Sequence, residues 1–97
     1  MEKCNVMDCD VYHAIKIIKS RYASVFIFSL AEDSKTFGEI EAEFDFISSV
    51  QVSRTLKELR LYKIANNNDG KYSLTEAGQA LVPILDSLEE WNEKYNS

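Results

Sequence analysis

The chain has 97 residues, 45% of them hydrophobic, with only 3 Gly, 1 Pro and a net charge of −5. That size suggests one domain with a single small core, and the low Gly and Pro content argues against a disordered or loop-rich scaffold. The acidic balance argues mildly against nucleic acid, so the positions of the cations carry more information than their total.

The first expected element is a helix over residues 10–20, "DVYHAIKIIKS". Val11, Ala14, Ile15 and Ile18 fall at helical spacing, Asp10 stands where an N-cap would, and Lys16 and Lys19 take the other face. Next comes "YASVFIFSLAED", whose unbroken apolar run fits either a buried strand or a buried helix. It is far short of the roughly 20 residues of a membrane span and is interrupted by Ser24 and Ser29. It also lies too far from a basic start to read as a signal peptide, so the expected location is cytoplasmic, with no membrane partner.

After Asp33, "FGEIEAEFD" places Phe37, Ile40 and Phe44 on one stripe and Glu39, Glu41 and Glu43 on another. Ile47 then precedes Ser48, an N-cap candidate, and Val52, Leu56 and Leu59 form the stripe of a helix ending near Tyr62 or Lys63. Two amphipathic helices joined by a short link make a helix-turn-helix. A strand starts near Ile64, "NNNDG" is read as the turn, and "KYSL" is the return strand. Thr75 caps a last helix with Leu81, Ile84, Leu85, Leu88 and Trp91 as its apolar stripe; Pro83 inside it removes one backbone hydrogen bond and should kink it. The pattern predicts an α+β, mostly α fold: a winged helix-turn-helix with a two-stranded wing and flanking dimerisation helices. The expected divisions of this single domain are 1–30, 34–63, 64–74 and 75–97.

The run "YSLTEAGQALVPILDSLEEW" resembles the C-terminal signature of the HxlR-type winged-helix transcriptional regulators, Y-S-L-T-x-x-G, then L-x-P-x-L and a terminal Trp. Phe37, Ile40, Phe44, Ile47, Ser48, Val52, Leu56 and Leu59 fall where that family has its apolar and I-S positions, so the resemblance covers nearly the whole chain. It favours helix over strand for "YASVFIFSLAED", with Ser20 as its cap. It implies a homodimer packed through its first and last helices, binding DNA through a recognition helix and a wing. It also implies an N-terminal Cys that senses electrophiles or oxidants in several members, matched here by Cys4 or Cys9.

The chain departs from the pattern at several places. "KSRY" stands where the family has G-G-K-W, so Arg21 and Tyr22 keep a cation and an aromatic. Lys63 replaces the Gly that closes the recognition helix. The wing is shorter, its tip lacks basic residues, and Lys71 is the nearest cation. These differences, with the acidic third helix, predict weak and strongly salt-dependent DNA binding.

On the residues themselves, Ser48, Ser49, Gln51, Ser53, Arg54 and Lys57 are the polar groups that a helix over 48–62 could present to DNA. Gln suits adenine, Arg suits guanine, and Ser reaches phosphate. Arg54, Lys57, Arg60 and Lys63 form a local basic run opposed only by Glu58. The bland reading of that run is a solvated face. Tyr12, Ile15, Leu85, Leu88 and Trp91 are the expected dimer contacts. Cys4 follows Lys3, which favours its thiolate, whereas Asp8 and Asp10 flank Cys9 and disfavour its own. Incidental thiols in a frayed terminus are the plainer reading. His13 is the only histidine, so no cysteine–histidine zinc set can form, no cofactor is expected, and no catalytic constellation is present to suggest an enzyme. The expected partners are double-stranded DNA and a second copy of the chain. A second reading, motivated by the acidic helix and uncharged wing tip, is a protein-interaction module that has lost DNA binding.

Overall fold

The computed structural model describes residues 10–19 and 22–96. In chain order it has α1 (Asp10–Ile18), α2 (Ala23–Glu32), β1 (Lys35–Thr36), α3 (Phe37–Glu43), α4 (Ser49–Leu61), β2 (Ala65–Asn68), β3 (Lys71–Leu74) and α5 (Glu76–Asn96). Cys4, Cys9, Ser20 and Arg21 lie outside the described residues.

The ambiguous apolar run is a helix. Ala23, Phe26, Ile27, Ser29 and Leu30 are all buried in α2, and Phe28 is partly so. A helix covered on so much of its circumference needs few polar positions, which is why its pattern resembled that of a buried strand. Its cap position is Tyr22, which makes no side-chain capping bond.

Around α2 the core gathers Ile40 from α3, Val52, Leu56 and Leu59 from α4, and Leu85 from α5. Phe44 and Ile47 from the α3–α4 turn join them, with Ile64, Ala65 and Leu74 from around the hairpin. The rings of Phe26 and Phe44 meet at 4.9 Å between centroids, tilted by 34°. That arrangement suits two aromatic quadrupoles.

The sheet has three antiparallel strands in the order β1-β3-β2, one more than the expected hairpin. Lys35 pairs with Tyr72 and Thr36 with Lys71, so β1 edges the wing from its far side. The turn is tighter than "NNNDG". Asn66, Asn67 and Asn68 pair with Ser73, Tyr72 and Lys71, leaving Asp69 and Gly70 as a two-residue loop. Both loop residues have positive φ, 53° and 86°. This is the combination a right-twisted two-residue hairpin requires.

At the end of α4, Lys63 adopts φ 61°. Its N–H bonds the Arg60 carbonyl at 3.0 Å, and the Ile64 N–H bonds the Leu59 carbonyl at 2.8 Å. These two bonds define a Schellman closure, with Lys63 where glycine is favoured. The chain then leads into the hairpin, and α5 starts against the same spot. The Thr75 N–H and hydroxyl both approach the Ile64 carbonyl, at 2.9 and 3.1 Å, and the hydroxyl donates to the Lys63 carbonyl at 2.6 Å. The same hydroxyl oxygen accepts from Gly78 N–H at 3.1 Å, capping α5 as expected. A Cβ on Gly78 would lie 2.2 Å from the Ile64 carbonyl oxygen. The T-x-x-G spacing therefore has a steric and a hydrogen-bonding cause at one joint. The helix continues through Pro83 to Asn96.

Candidate nucleic-acid interface

The Thr36 side chain accepts from Glu39 N–H at 3.1 Å and the Glu39 carboxylate accepts from Thr36 N–H at 2.8 Å, a reciprocal box that starts α3. Ser48 caps α4, its hydroxyl accepting from Gln51 N–H at 3.2 Å. Such a cap contributes about 1 kcal/mol to the helix it starts. Between these helices, the Ser49 hydroxyl donates to the Glu41 carboxylate. That bond ties α3 to the first turn of α4 and brings a negative charge to the positive end of its dipole.

Glu43 is held in turn from α2 and β1. Its carboxylate accepts from Lys35 at 2.8 Å and from the Ser29 hydroxyl at 2.7 Å. Lys35 also donates to the Ser29 oxygen at 2.7 Å. The Lys35 ammonium foremost, and the Ser29 hydroxyl after it, hold the Glu43 carboxyl below its ordinary value. The three glutamates of the expected acidic face are thus engaged within the subunit. Asp45 is exposed at the end of the row.

The outer side of α4 contrasts with this. Arg54, Lys57 and Arg60 are exposed, and no ion pair holds any of the three among the described residues. Arg54 and Lys57 line one hollow of about 540 Å³ with Ser49, Val50, Ser53 and Phe37. Lys57 and Arg60 line a second, of about 480 Å³, with Leu61 and Asn66, Asn67 and Asn68 of β2. Lys57 therefore bridges the two hollows, and the cations follow the helix from its first turns to the wing.

Of the sequence-predicted contacts, Ser49, Ser53, Arg54 and Lys57 come together. Gln51 is half-buried and Ser48 is occupied as the cap. Lys71 stands across from Asn68 at the wing, outside both hollows. Val50, 67% exposed amid these polar groups, drew no attention in the sequence, although its place off the Val52–Leu56–Leu59 stripe was readable there.

Val11, Tyr12 and Ile15 are exposed on α1, as are Ile84, Leu88, Trp91 and Tyr95 on α5. Leu85, expected at the dimer contact, is only 5% exposed and belongs to the subunit's own core. Positions 84, 88, 91 and 95 step by four, three and four, the spacing of a helix–helix seam. Trp91 and Tyr95 lie with their rings 5.8 Å apart. No group of His, Cys, Asp and Glu among the described residues could hold a metal ion, and no described helix is long and apolar enough to cross a membrane.

The family model for the HxlR-like helix-turn-helix matches residues 17–97. Among curated relatives, the chain is 34% identical over 85 residues to the HTH-type transcriptional regulator YvaP of Bacillus subtilis (strain 168), covering 80% of this chain and 79% of that protein. It is 31% identical over 96 residues to an HTH-type transcriptional regulator of Methanothermobacter thermautotrophicus, covering 92% and 73%. Among solved structures, the quinone-bound form of YodB from B. subtilis superposes with a TM-score of 0.83 at 27% identity, over 88% of this chain and 97% of that one.

Proposed function

The chain belongs to the HxlR-like helix-turn-helix family and is a transcriptional regulator of that type; on that premise we propose that it works in the cytoplasm as a homodimer reading a pseudo-palindromic operator through α4. The observation that carries this reading is the line of Arg54, Lys57 and Arg60, held by no ion pair among the described residues, on a helix whose acidic neighbours are engaged internally. The same engagement weakens the acidic-face motive for a protein-binding module. A carboxylate paired with Lys35, or placed at a helix N-terminus, projects a weaker field than a solvated one.

In the dimer, two α4 helices enter successive major grooves about one helical turn apart. Arg54 reads guanine, Lys57 and Arg60 neutralise phosphates, Ser49 and Ser53 lie beside them, and Lys71 contacts the backbone from the wing. Ser48 and Gln51 serve the start of that helix. The dimer forms through Tyr12 and Ile15 of α1 and Ile84, Leu88 and Trp91 of α5. Cys4 or Cys9 supplies the response to a redox or electrophilic signal, a reading suggested by the resemblance and by the quinone in the related YodB structure.

The test is fluorescence anisotropy of a labelled duplex from the protein's own upstream region, with a random duplex as control, at low and moderate salt. Lys57, Arg60 and Lys71 of two subunits contact roughly six phosphates, so log affinity should fall with log salt at a slope of about −5.4. Arg54→Ala should weaken specific binding by about 1–3 kcal/mol and relax the preference at one base pair per half-site. Equal, weak binding to both duplexes at low salt would sink the reading.

A further inference from the structure

Val50 is the second residue of α4, and the helix does not need it for its core. The buried face of α4 is built by Val52, Thr55, Leu56 and Leu59, whereas Val50 is left 67% exposed. Its surroundings are arranged in a particular way. Half-buried Phe37, from the first turn of α3, joins it in lining the hollow of about 540 Å³, together with Ser49, Ser53, Arg54 and Lys57. Two apolar groups thus share a hollow with two cations and two hydroxyls.

We propose that Val50 and Phe37 form a seat for the C5-methyl group of a thymine, making Val50 a specificity-determining residue. The inference rests on the DNA-reading function above. The cations on the same hollow favour a polyanion over an apolar peptide. Within the major groove, the base edges offer donors, acceptors and one apolar group, the thymine methyl. The N-terminal residues of a recognition helix are the ones that meet base edges, and Val50 is among them. Arg54 lies four residues further on, a rise of about 6 Å along the helix. At about 3.4 Å per base step, its guanine lies within about two base pairs of the thymine. The half-site therefore pairs a methyl-bearing base with a guanine close by.

The test begins by selecting duplexes that bind the full chain from a randomised DNA pool. Each thymine of the selected duplex is then replaced by deoxyuridine, which removes only the methyl. Affinity is measured by anisotropy for the wild type and for Val50→Ala. One thymine per half-site should prove sensitive, its demethylation weakening wild-type binding about three- to tenfold, the scale expected for one buried methyl. Val50→Ala should bind the unmodified duplex more weakly by a similar factor and be indifferent to that methyl. A wild type indifferent to every methyl overturns the inference, as does an alanine variant with unchanged sensitivity. A pool that yields no enriched duplex removes the DNA-reading function itself, and the methyl seat with it.

Discussion

At the α3–α4 end of the subunit, Glu39, Glu41 and Glu43 each accept a hydrogen bond from a neighbouring residue, and the cations of α4 are left facing outward. Along α5, Ile84, Leu88, Trp91 and Tyr95 are left facing outward instead, while Leu85 between them is buried. The first end holds in hydrogen bonds within the subunit carboxylates that a sequence presents as free. The second divides one apolar stripe of the sequence between the subunit's core, at Leu85, and its surface, at Ile84, Leu88 and Trp91. Charge and hydropathy along the chain say which groups are there; the partners, often many residues away, decide which of them face outward. On the proposed reading both outcomes are used: α4 meets a polyanion, and the apolar seam of α5 is buried against a second copy.

The two ends are joined where α5 starts against Ile64, so the severest way to break the comparison is to disturb that joint. Gly78→Ala would place a Cβ 2.2 Å from a backbone carbonyl oxygen and 3.1 Å from Leu74 Cδ2. The carbonyl is held by the Thr75 N–H and cannot swing away without losing that bond. A loss of about 3 kcal/mol is expected, at the upper end of overpacking penalties, and urea denaturation measures it. A loss under about 1 kcal/mol would mean that the joint yields and that the two ends are more independent than the packing implies.

A change confined to one end sharpens the contrast. Leu88→Glu adds a charge to the exposed seam of α5 without entering the core. Its folding stability should stay within about 0.5 kcal/mol of wild type, as for other exposed sites. Its dimer dissociation constant should rise roughly a hundredfold, as for a residue central to an interface. Sedimentation at several concentrations separates these effects. A wild type that is monomeric throughout would remove the dimer reading altogether.

Lys63→Gly acts in the opposite direction. A non-glycine residue at φ 61° carries a cost of about 1–2 kcal/mol, which glycine avoids at the expense of a more flexible unfolded chain. The two bonds of the Schellman closure and the carbonyl that accepts from Thr75 are backbone groups, so all of them survive. A net gain of about 0.5–1 kcal/mol is expected in urea denaturation. A destabilised variant would show that the lysine side chain contributes more than the backbone strain costs.

Much of the fold could be read along the chain because its signals are local. The Phe37–Ile40–Phe44 and Val52–Leu56–Leu59 stripes mark helices by their own spacing, Ser48 and Thr75 cap the helices they precede, and "DG" suffices for the hairpin. The reciprocal box of Thr36 and Glu39 in "TFGE" is equally local, although the same glutamate also falls on the acidic stripe. What could not be read depends on distant partners. β1 is two residues long and exists through its pairing with β3, some 36 positions away. The three asparagines look like turn residues, and their pairing with β3 makes them strand. Glu43 finds Ser29 fourteen positions earlier, and Ile84 and Leu85 differ only in which side of α5 meets the core. Val50 differs again: its place off the Val52–Leu56–Leu59 stripe is local, but nothing in an apolar side chain marks it as part of a polar face until Phe37, Arg54 and Lys57 are seen around the same hollow.

The smallest expected effect tests whether the Glu43 cluster stabilises the polar end. Its carboxyl is held below the ordinary value of 4.5, by the Lys35 ammonium first and the Ser29 hydroxyl second. A group with a depressed folded value contributes its stability above the unfolded value, and that contribution disappears as the pH falls through the folded one. Wild type should therefore exceed Glu43→Gln in stability from neutrality down to about pH 4.5, and the two should converge below it. The side chain is 38% exposed, so the gap at neutral pH should stay below about 1 kcal/mol, as for other solvent-screened pairs. Urea denaturation of both proteins between neutral and strongly acidic pH measures the gap. Parallel curves would mean that the cluster is held in place by its neighbours and contributes no stability that depends on its ionisation. Convergence would instead show that Lys35, only 18% exposed and bonded to both Ser29 and Glu43, helps fix the start of the helix pair against α2. The acid that the sequence offered as an obstacle to DNA would then be part of what positions the reading helix.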